Sequence, residues 1–285
     1  MDGQGFGFLS GNINTAKMKQ RLNWMKKIEN IDTTIKPELT AEIKKFWERN
    51  INAERIYGRT ISDSKRGEDK YFTDLEEQRY RTHYHLLPWI RDMKPGKRVL
   101  EIGCGIGLDS FKIASHGMDL YAIDLTQVGI KTVKERFLRK EVPAHFNVGD
   151  ACNLPFPNAV FDYVYSFGVL HHVADTKKSV SEVFRVLKPS GEARIMLYHR
   201  RSLNETIHHL TRVPFEEKDE LCPVVRRYTK TEVRKLFADF SKVDIDVQYV
   251  FGEGYGAIYR AMPKWLYRML SKTVGWHLMI RATKD

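Results

Sequence analysis

Cysteine is scarce in this chain, with three in 285 residues. Cys104, Cys152 and Cys222 lie far apart and form no C-x-x-C pair, which excludes a disulfide ladder and a zinc ribbon and leaves three reduced, packed thiols. Apolar runs near the roughly 20 residues that cross a bilayer are also missing. The opening "MDGQGFGFLSG" has neither the basic start nor the apolar core of a secretory leader, so a cytoplasmic location is expected. Internal repeats and low-complexity tracts are lacking. Lysine and arginine exceed the acids by 47 to 36, a net charge of +11, yet no basic block or glycine-arginine tail occurs. The cations are interleaved with acids, as in "KKFWERNINAER", so nucleic acid is not expected as a partner, while peripheral contact with lipid stays open.

What is present is enough apolar residue, 42% of the chain, for a sizeable core. From about Lys97 short β-type runs alternate with helical patterns, the signature of an α/β fold. The strands read "RVLEIG", "DLYAID", "HFNVGD", "FDYVYSFG", "EARIMLYH", "KVDIDVQYV" and "HLMIRATK". Between them, Ile130, Val133 and Phe137 recur at helical spacing, as do Val180, Val183, Phe184 and Leu187. The pattern predicts a seven-stranded, doubly wound sheet over residues 96–285 with an antiparallel last strand. Residues 1–95 read as a helical arm, with helices near 15–29, 37–50 and 73–93. Thr73 and Glu76 have capping-box spacing, and Pro88 is expected to kink or end the third helix. The charged segment 51–70 is a candidate lid. Insertions at 200–228 and 251–276 are expected to cap the core, with Trp265, Leu266, Met269 and Leu270 read as the core face of a helix.

The stretch "VLEIGCGIGLDS", Val99 to Ser110, places a glycine-rich turn between a strand and a helix, where backbone amides can approach a ligand. A dinucleotide turn spaces its glycines G-x-G-x-x-G; here the third position is Leu108. A G-x-x-x-x-G-K-[ST] phosphate loop is absent as well.

The spacing E-x-G-x-G-x-G instead resembles motif I of the class I S-adenosylmethionine-dependent methyltransferases, whose fold is a Rossmann-like sheet. The matches continue in order: Asp124 ends the second strand, and "VGDACNLPFPNAVFDYVYSFGVLHHV" and "EVFRVLKPSGEARI" resemble the branch containing the quinone and sterol methyltransferases. The resemblance covers Arg98 to His199. It implies S-adenosylmethionine as cofactor, becoming S-adenosylhomocysteine, with no metal. Glu101 and the turn of Gly103, Gly105 and Gly107 would hold its methionine end, Asp124 and Leu125 its ribose and adenine side, and Asp150 with Ala151 its adenine edge. Ser166 and Phe167 would face the sulfonium.

Methyl transfer from a sulfonium is an in-line displacement that needs alignment and exclusion of water. A hydroxyl or carbon acceptor gains from a base, and His171 and His172, just after the fourth strand, are the candidates. Substrate contacts are expected from Tyr80, His83 and Tyr84 on the last arm helix, Tyr198, His199 and Arg200 at the fifth strand's end, and Arg226, Arg227 and Tyr228 ahead of a helix begun by Thr229 with Glu232. His83 and His85 are expected on different faces of a helix, and neither they nor His208 and His209 have metal-ligand spacing. The acceptor is read as a small molecule. Enzymes that methylate base amines carry [DNS]-P-P-[YF] where this chain has "SFGVLHHV"; RNA or protein methylation and a catalytically silent cofactor-binding protein are the alternatives.

Overall fold

Apolar residues recur at every second strand position and every third or fourth helix position, and the computed structural model, which describes residues 37–50, 62–211, 222–252, 259 and 261–285, folds them accordingly. Helices α1 (Pro37–Arg49), α2 (Asp69–Thr82) and α3 (Leu86–Arg91) precede β1 (Arg98–Ile102), α4 (Leu108–Ser115), β2 (Asp119–Asp124), α5 (Gln127–Arg139) and β3 (His145–Val148). There follow β4 (Phe161–Phe167), α6 (Thr176–Val186), β5 (Leu187–His199), α7 (Leu203–Thr211), β6 (Arg227–Tyr228), α8 (Lys230–Leu236), β7 (Lys242–Gln248), α9 (Lys264–Val274) and β8 (His277–Thr283).

The strands form one sheet in the order β3-β2-β1-β4-β5-β8-β7, with the short β6 beside the end of β5. The first five are parallel, and β8 runs antiparallel to both β5 and β7. All seven strands read from the sequence are present, and the last is antiparallel as expected. The strand order reverses between β1 and β4, so a crevice opens beyond their carboxyl ends, where ligands of doubly wound sheets bind.

Successive strand residues point to opposite faces. Leu100, Ile102, Val164, Ile195, Leu197, Leu278 and Ile280 build one core layer with Val180 and Val183 of α6, Val233 of α8 and Phe237 just after it. Their neighbours Val99, Tyr165, Met196, Tyr198 and Met279 point the other way, against Phe46 of α1, Trp89 and Ile90 of α3 and Val133 and Phe137 of α5. The arm helices α1 and α3 are thus part of the second layer. Helix α2 builds a separate cluster, in which Tyr71, Phe72 and Leu75 pack on Ile106 and Leu108; each buried side chain of this kind contributes roughly 1.5–3 kcal/mol.

Local signals fared unevenly. Asp175 caps α6 by accepting from the Lys178 amide at 2.9 Å, and Thr229 with Glu232 forms a full capping box on α8. Thr73 caps nothing: α2 starts at Asp69, after an extended Glu68, and the Thr73 hydroxyl turns back to the Asp69 carbonyl at 3.0 Å. The break in the third arm helix comes at residues 83–85, and Pro88 sits in the first turn of α3, where a missing N–H is tolerated. The strand read as "EARIMLYH" begins earlier, at Leu187, and its added part carries a register shift opposite Phe161 to Tyr163 and Ser190 at φ 62°. Trp265 and Met269 face outward rather than into the core. The helix expected at 15–29 and parts of the lid and both insertions (51–61, 212–221, 253–258 and 260) lie outside the described residues.

Candidate active site

The turn after β1 is pinned to β2: the amides of Gly103 and Cys104 both donate to the Ile123 carbonyl, at 2.8 and 3.1 Å. Gly107 adopts φ 80°, and a Cβ there would lie 2.2 Å from Cγ2 of Val133, so this glycine lets α4 and α5 approach closely. Beside Gly105 the space is open, with no atom within 4 Å of where a Cβ would be, and its amide donates to Oδ2 of Asp124 at 2.8 Å. The other oxygen of Asp124 accepts from the amide and hydroxyl of Thr126, at 2.8 and 2.6 Å. Burial pushes the Asp124 pKa up, and these hydrogen bonds to Thr126 and Gly105 oppose the rise. The carboxylate is therefore held in one orientation at the strand end.

This turn forms one wall of a cavity of about 240 Å³ bounded by the ends of β1, β2 and β4 and by α1 and α2. Of the expected cofactor residues, Glu101, Gly103, Gly105, Asp124, Leu125, Asp150, Ala151 and Phe167 line it. Gly107 and Ser166 are not among the lining residues. Gly107 is the packing glycine just described, and the buried Ser166 hydroxyl donates to the Ile102 carbonyl at 3.0 Å, tying β4 to β1.

A buried charge network, unforeseen in the sequence, backs the cavity. Arg79 of α2 makes a two-pronged ion pair with Asp109 in the first turn of α4: Nε donates to Oδ1 at 2.8 Å and Nη2 to Oδ2 at 2.5 Å. The Tyr80 and Tyr165 hydroxyls also donate to Asp109, at 2.9 and 2.8 Å. Burial alone would raise the Asp109 pKa, but the Arg79 charge and these bonds hold it below the ordinary value. Glu101 lies within the same field. Burial, reinforced by the negative charge of Asp109, pushes its pKa up to about 8, and its carboxyl accepts from the Ser110 hydroxyl.

The folded protein therefore keeps a proton on Glu101 that the unfolded chain releases, so the stability that Glu101 lends is full below its ordinary pKa and lost as pH rises toward 8. The unfolding free energy of the wild type minus that of Glu101→Gln, from urea titrations, is expected to fall by roughly a few kcal/mol across that range. A difference constant with pH would contradict this.

The far wall is aromatic and rich in neutral histidine. His83, His277, Tyr198, Phe167, Met196 and His172 line it, with Trp47 of α1. The His83 ring stacks on Tyr249 at 4.6 Å and parallel to His277 at 5.5 Å. Burial depresses the pKa of His83 and His277 well below the ordinary value, and that of His85, whose Nε2 lies 3.3 Å from Nδ1 of His277, to about 3. The expectation that His83 and His85 diverge is overturned: α2 ends at Thr82, residues 83–85 form a turn, and the two rings lie 6.0 Å apart.

The two candidate bases separate. His171 is fully buried, with its ring 3.8 Å from that of Tyr198, and is not a lining residue. His172 lines the cavity, and its Nδ1 lies 2.6 Å from the Val224 carbonyl; since a carbonyl only accepts, Nδ1 carries the proton.

Among the expected substrate residues only His83 and Tyr198 are lining residues. Tyr80 is engaged by Asp109, Tyr84 donates to Gln248 at 2.9 Å, and Nδ1 of His199 meets the Gly275 carbonyl at 2.9 Å. Arg200 pairs with Glu232 and Arg227 with Glu205, while Arg226 holds the carbonyls of Val173 and Ala174 in the loop after β4. Tyr228 sits in β6 beside the end of β5. These side chains look available after strand ends in sequence, but the folded chain uses them to satisfy its own loops.

The comparisons with known proteins bear on what this cavity serves. A family model described as a methyltransferase domain matches residues 100–195, the span from β1 into β5 that carries the glycine turn, Asp124 and His172. Residues 100–195 form a methyltransferase domain. Around it, the sterol 24-C-methyltransferase of Schizosaccharomyces pombe is 31% identical over 180 residues, covering 53% of this chain and 47% of that protein. The demethylmenaquinone methyltransferase of a Geobacillus species is 29% identical over 197 residues, 58% of this chain and 82% of that protein. The chain spans between 22% and 47% of the length of the first curated relatives it matches. A Thermotoga maritima structure described as a methyltransferase, possibly a histamine N-methyltransferase, superposes over 85% of this chain and all of that one, at 18% identity and a TM-score of 0.58. The described sheet thus has the Rossmann-like fold of class I methyltransferases, and its closing strands β7 and β8 lie outside the matched segment.

Proposed function

We propose that this chain transfers a methyl group from S-adenosylmethionine to a small molecule by in-line displacement. The observation that carries the reading is the paired geometry at the strand ends: an open backbone at Gly105 and, hydrogen-bonded to it, an Asp124 carboxylate locked by three donors. That donor and acceptor set fits the cofactor, which when bound supplies a methyl already activated as a sulfonium. Glu101 and the backbone of Gly103 to Gly107 would hold its methionine end, Asp124 and Leu125 the ribose hydroxyls, and Asp150 and Ala151 the adenine. Phe167 would shield the reacting end from water.

The acceptor lies against His83, His277, Met196 and Tyr198 in this reading, and these residues offer it a flat, uncharged wall. His172, whose Nδ1–H is spent on the Val224 carbonyl, keeps an unprotonated Nε2 that would accept a proton from the acceptor. The size of the cavity, about 240 Å³, and the sterol and quinone named in the relatives' descriptions favour a small acceptor over a macromolecule.

The test follows labelled methyl from the cofactor into cell extracts separated as small molecules, lipids, RNA and protein. Label is expected in the small-molecule or lipid fraction. Label confined to RNA or protein overturns the acceptor class, no transfer in any fraction despite calorimetric binding of the cofactor leaves the silent cofactor-binding reading, and no binding overturns the cofactor assignment itself. Once an acceptor is in hand, His172→Ala is expected to slow single turnover roughly 100-fold or more while His171→Ala is judged by its stability; an unchanged His172→Ala rate removes it as the base.

A further inference from the structure

The outward face of α9 is a feature that methyl transfer leaves unused. Its sequence, "KWLYRMLSKTV", contains three cations and no acid. Tyr267 and Ser271 turn inward; the tyrosine hydroxyl donates to the Phe251 carbonyl at 2.9 Å, and its ring meets Tyr84 at 6.1 Å. Outside them two stripes run along the helix with a spacing of four residues. Lys264, Arg268 and Lys272 make the nearer one, all exposed, with the Arg268 guanidinium 6.0 Å from the Tyr84 ring, and Trp265 and Met269 the outermost, with the tryptophan 69% and the methionine 51% exposed. A tryptophan so exposed loses the burial that ordinarily stabilises it, and its large apolar body with a polar N–H suits the boundary between water and hydrocarbon.

We infer that the face of α9 bearing Lys264, Trp265, Arg268, Met269 and Lys272 docks on an anionic membrane surface. Interfacial helices combine aromatic and apolar side chains that enter the headgroup boundary with cations that meet lipid phosphates, and the net charge of +11 adds long-range attraction to a negative surface. The cationic stripe also argues against a second copy of the chain as occupant, since two such faces meeting in antiparallel or parallel fashion bring like charges together. Docking holds the chain at a surface where apolar small molecules dissolve. The inner side of α9 packs on Tyr84, the neighbour of the cavity residue His83, so the docking face and the cavity wall belong to adjoining parts of the structure.

Flotation of the full-length protein with vesicles tests this, using phosphatidylcholine alone and phosphatidylcholine mixed with phosphatidylglycerol. Retention is expected on the anionic vesicles only and is expected to weaken as salt is added. Trp265→Ala with Met269→Ala should reduce partitioning about 10-fold, and glutamine at Lys264, Arg268 and Lys272 on the order of 100-fold. Because all five side chains are exposed, both variants should keep the wild-type melting temperature and cofactor affinity. Equal retention of wild type and variants overturns the proposal, as does the absence of retention. So does a variant that loses a dimer in sedimentation or loses RNA binding while vesicle retention stays unchanged.

Discussion

Replacing Arg79 with methionine should cost roughly 3–5 kcal/mol of stability at neutral pH, because the substitution leaves the Asp109 carboxylate buried without its counter-ion. Arg79 and Asp109 are both largely buried and form two hydrogen bonds, so the pair is screened far less than a surface bridge. The size of the loss should depend on pH in a diagnostic direction. In the wild type the Asp109 pKa is held below its ordinary value, so its contribution is present above that value and is lost on acidification. Without Arg79 the same burial raises the folded pKa, the variant prefers a protonated Asp109, and its deficit shrinks as pH falls. Adding Asp109→Asn to Arg79→Met removes the stranded charge and should recover most of the loss. Guanidinium titrations of the two single variants and the double variant at several pH values decide the matter. Additive, pH-independent losses would show that the pair acts only by filling space.

Asp124→Ala should weaken the cofactor roughly 100-fold or more while leaving the sheet intact. A carboxylate that accepts from two ribose hydroxyls makes hydrogen bonds worth about 1.5–3 kcal/mol each when one partner is charged. The residue also orients the Gly105 amide, so the substitution acts on the turn as well as on the ribose. Asp124→Asn separates the two effects: it keeps an oxygen for one partner and loses the charge, and an intermediate loss is expected. Calorimetric titration with S-adenosylhomocysteine reads both variants. Wild-type affinity in Asp124→Ala would refute the assignment of the ribose to this residue.

The strands were legible because each pairs a continuous or alternating apolar run with a helix on one side, and burial on two faces leaves that mark in the sequence. Glu101 and Asp124 entered through the resemblance that starts at motif I, and the fold brings both to the cavity wall. Arg79 and Asp109 were not legible. In "DLEEQRYRT" the arginine looks like one more charge on a solvated helix, and Asp109 looks like an ordinary acid in a helix first turn; only their meeting across 30 residues gives them their role. His277 opens an apolar strand and carries no local signal that its ring faces a void. The expected substrate residues failed for a related reason. Periodicity reports which side of an element is buried, and it does not distinguish an arginine that awaits a ligand from one, like Arg226, that closes its own loop.

Helix α2 carries Arg79, which grips the first turn of α4, and one turn later leads into His83 at the cavity wall. Drift in that helix toward a new acceptor would therefore pull on the segment that follows the glycine turn. Specificity can change at lower cost from the opposite side, where Ile43 and Trp47 reach the cavity from α1, a helix tied through Glu48 to the Gln127 and Val128 amides at the start of α5 rather than to the glycine turn. The cavity has, in that sense, one wall that evolution must treat as fixed and one that it can rewrite.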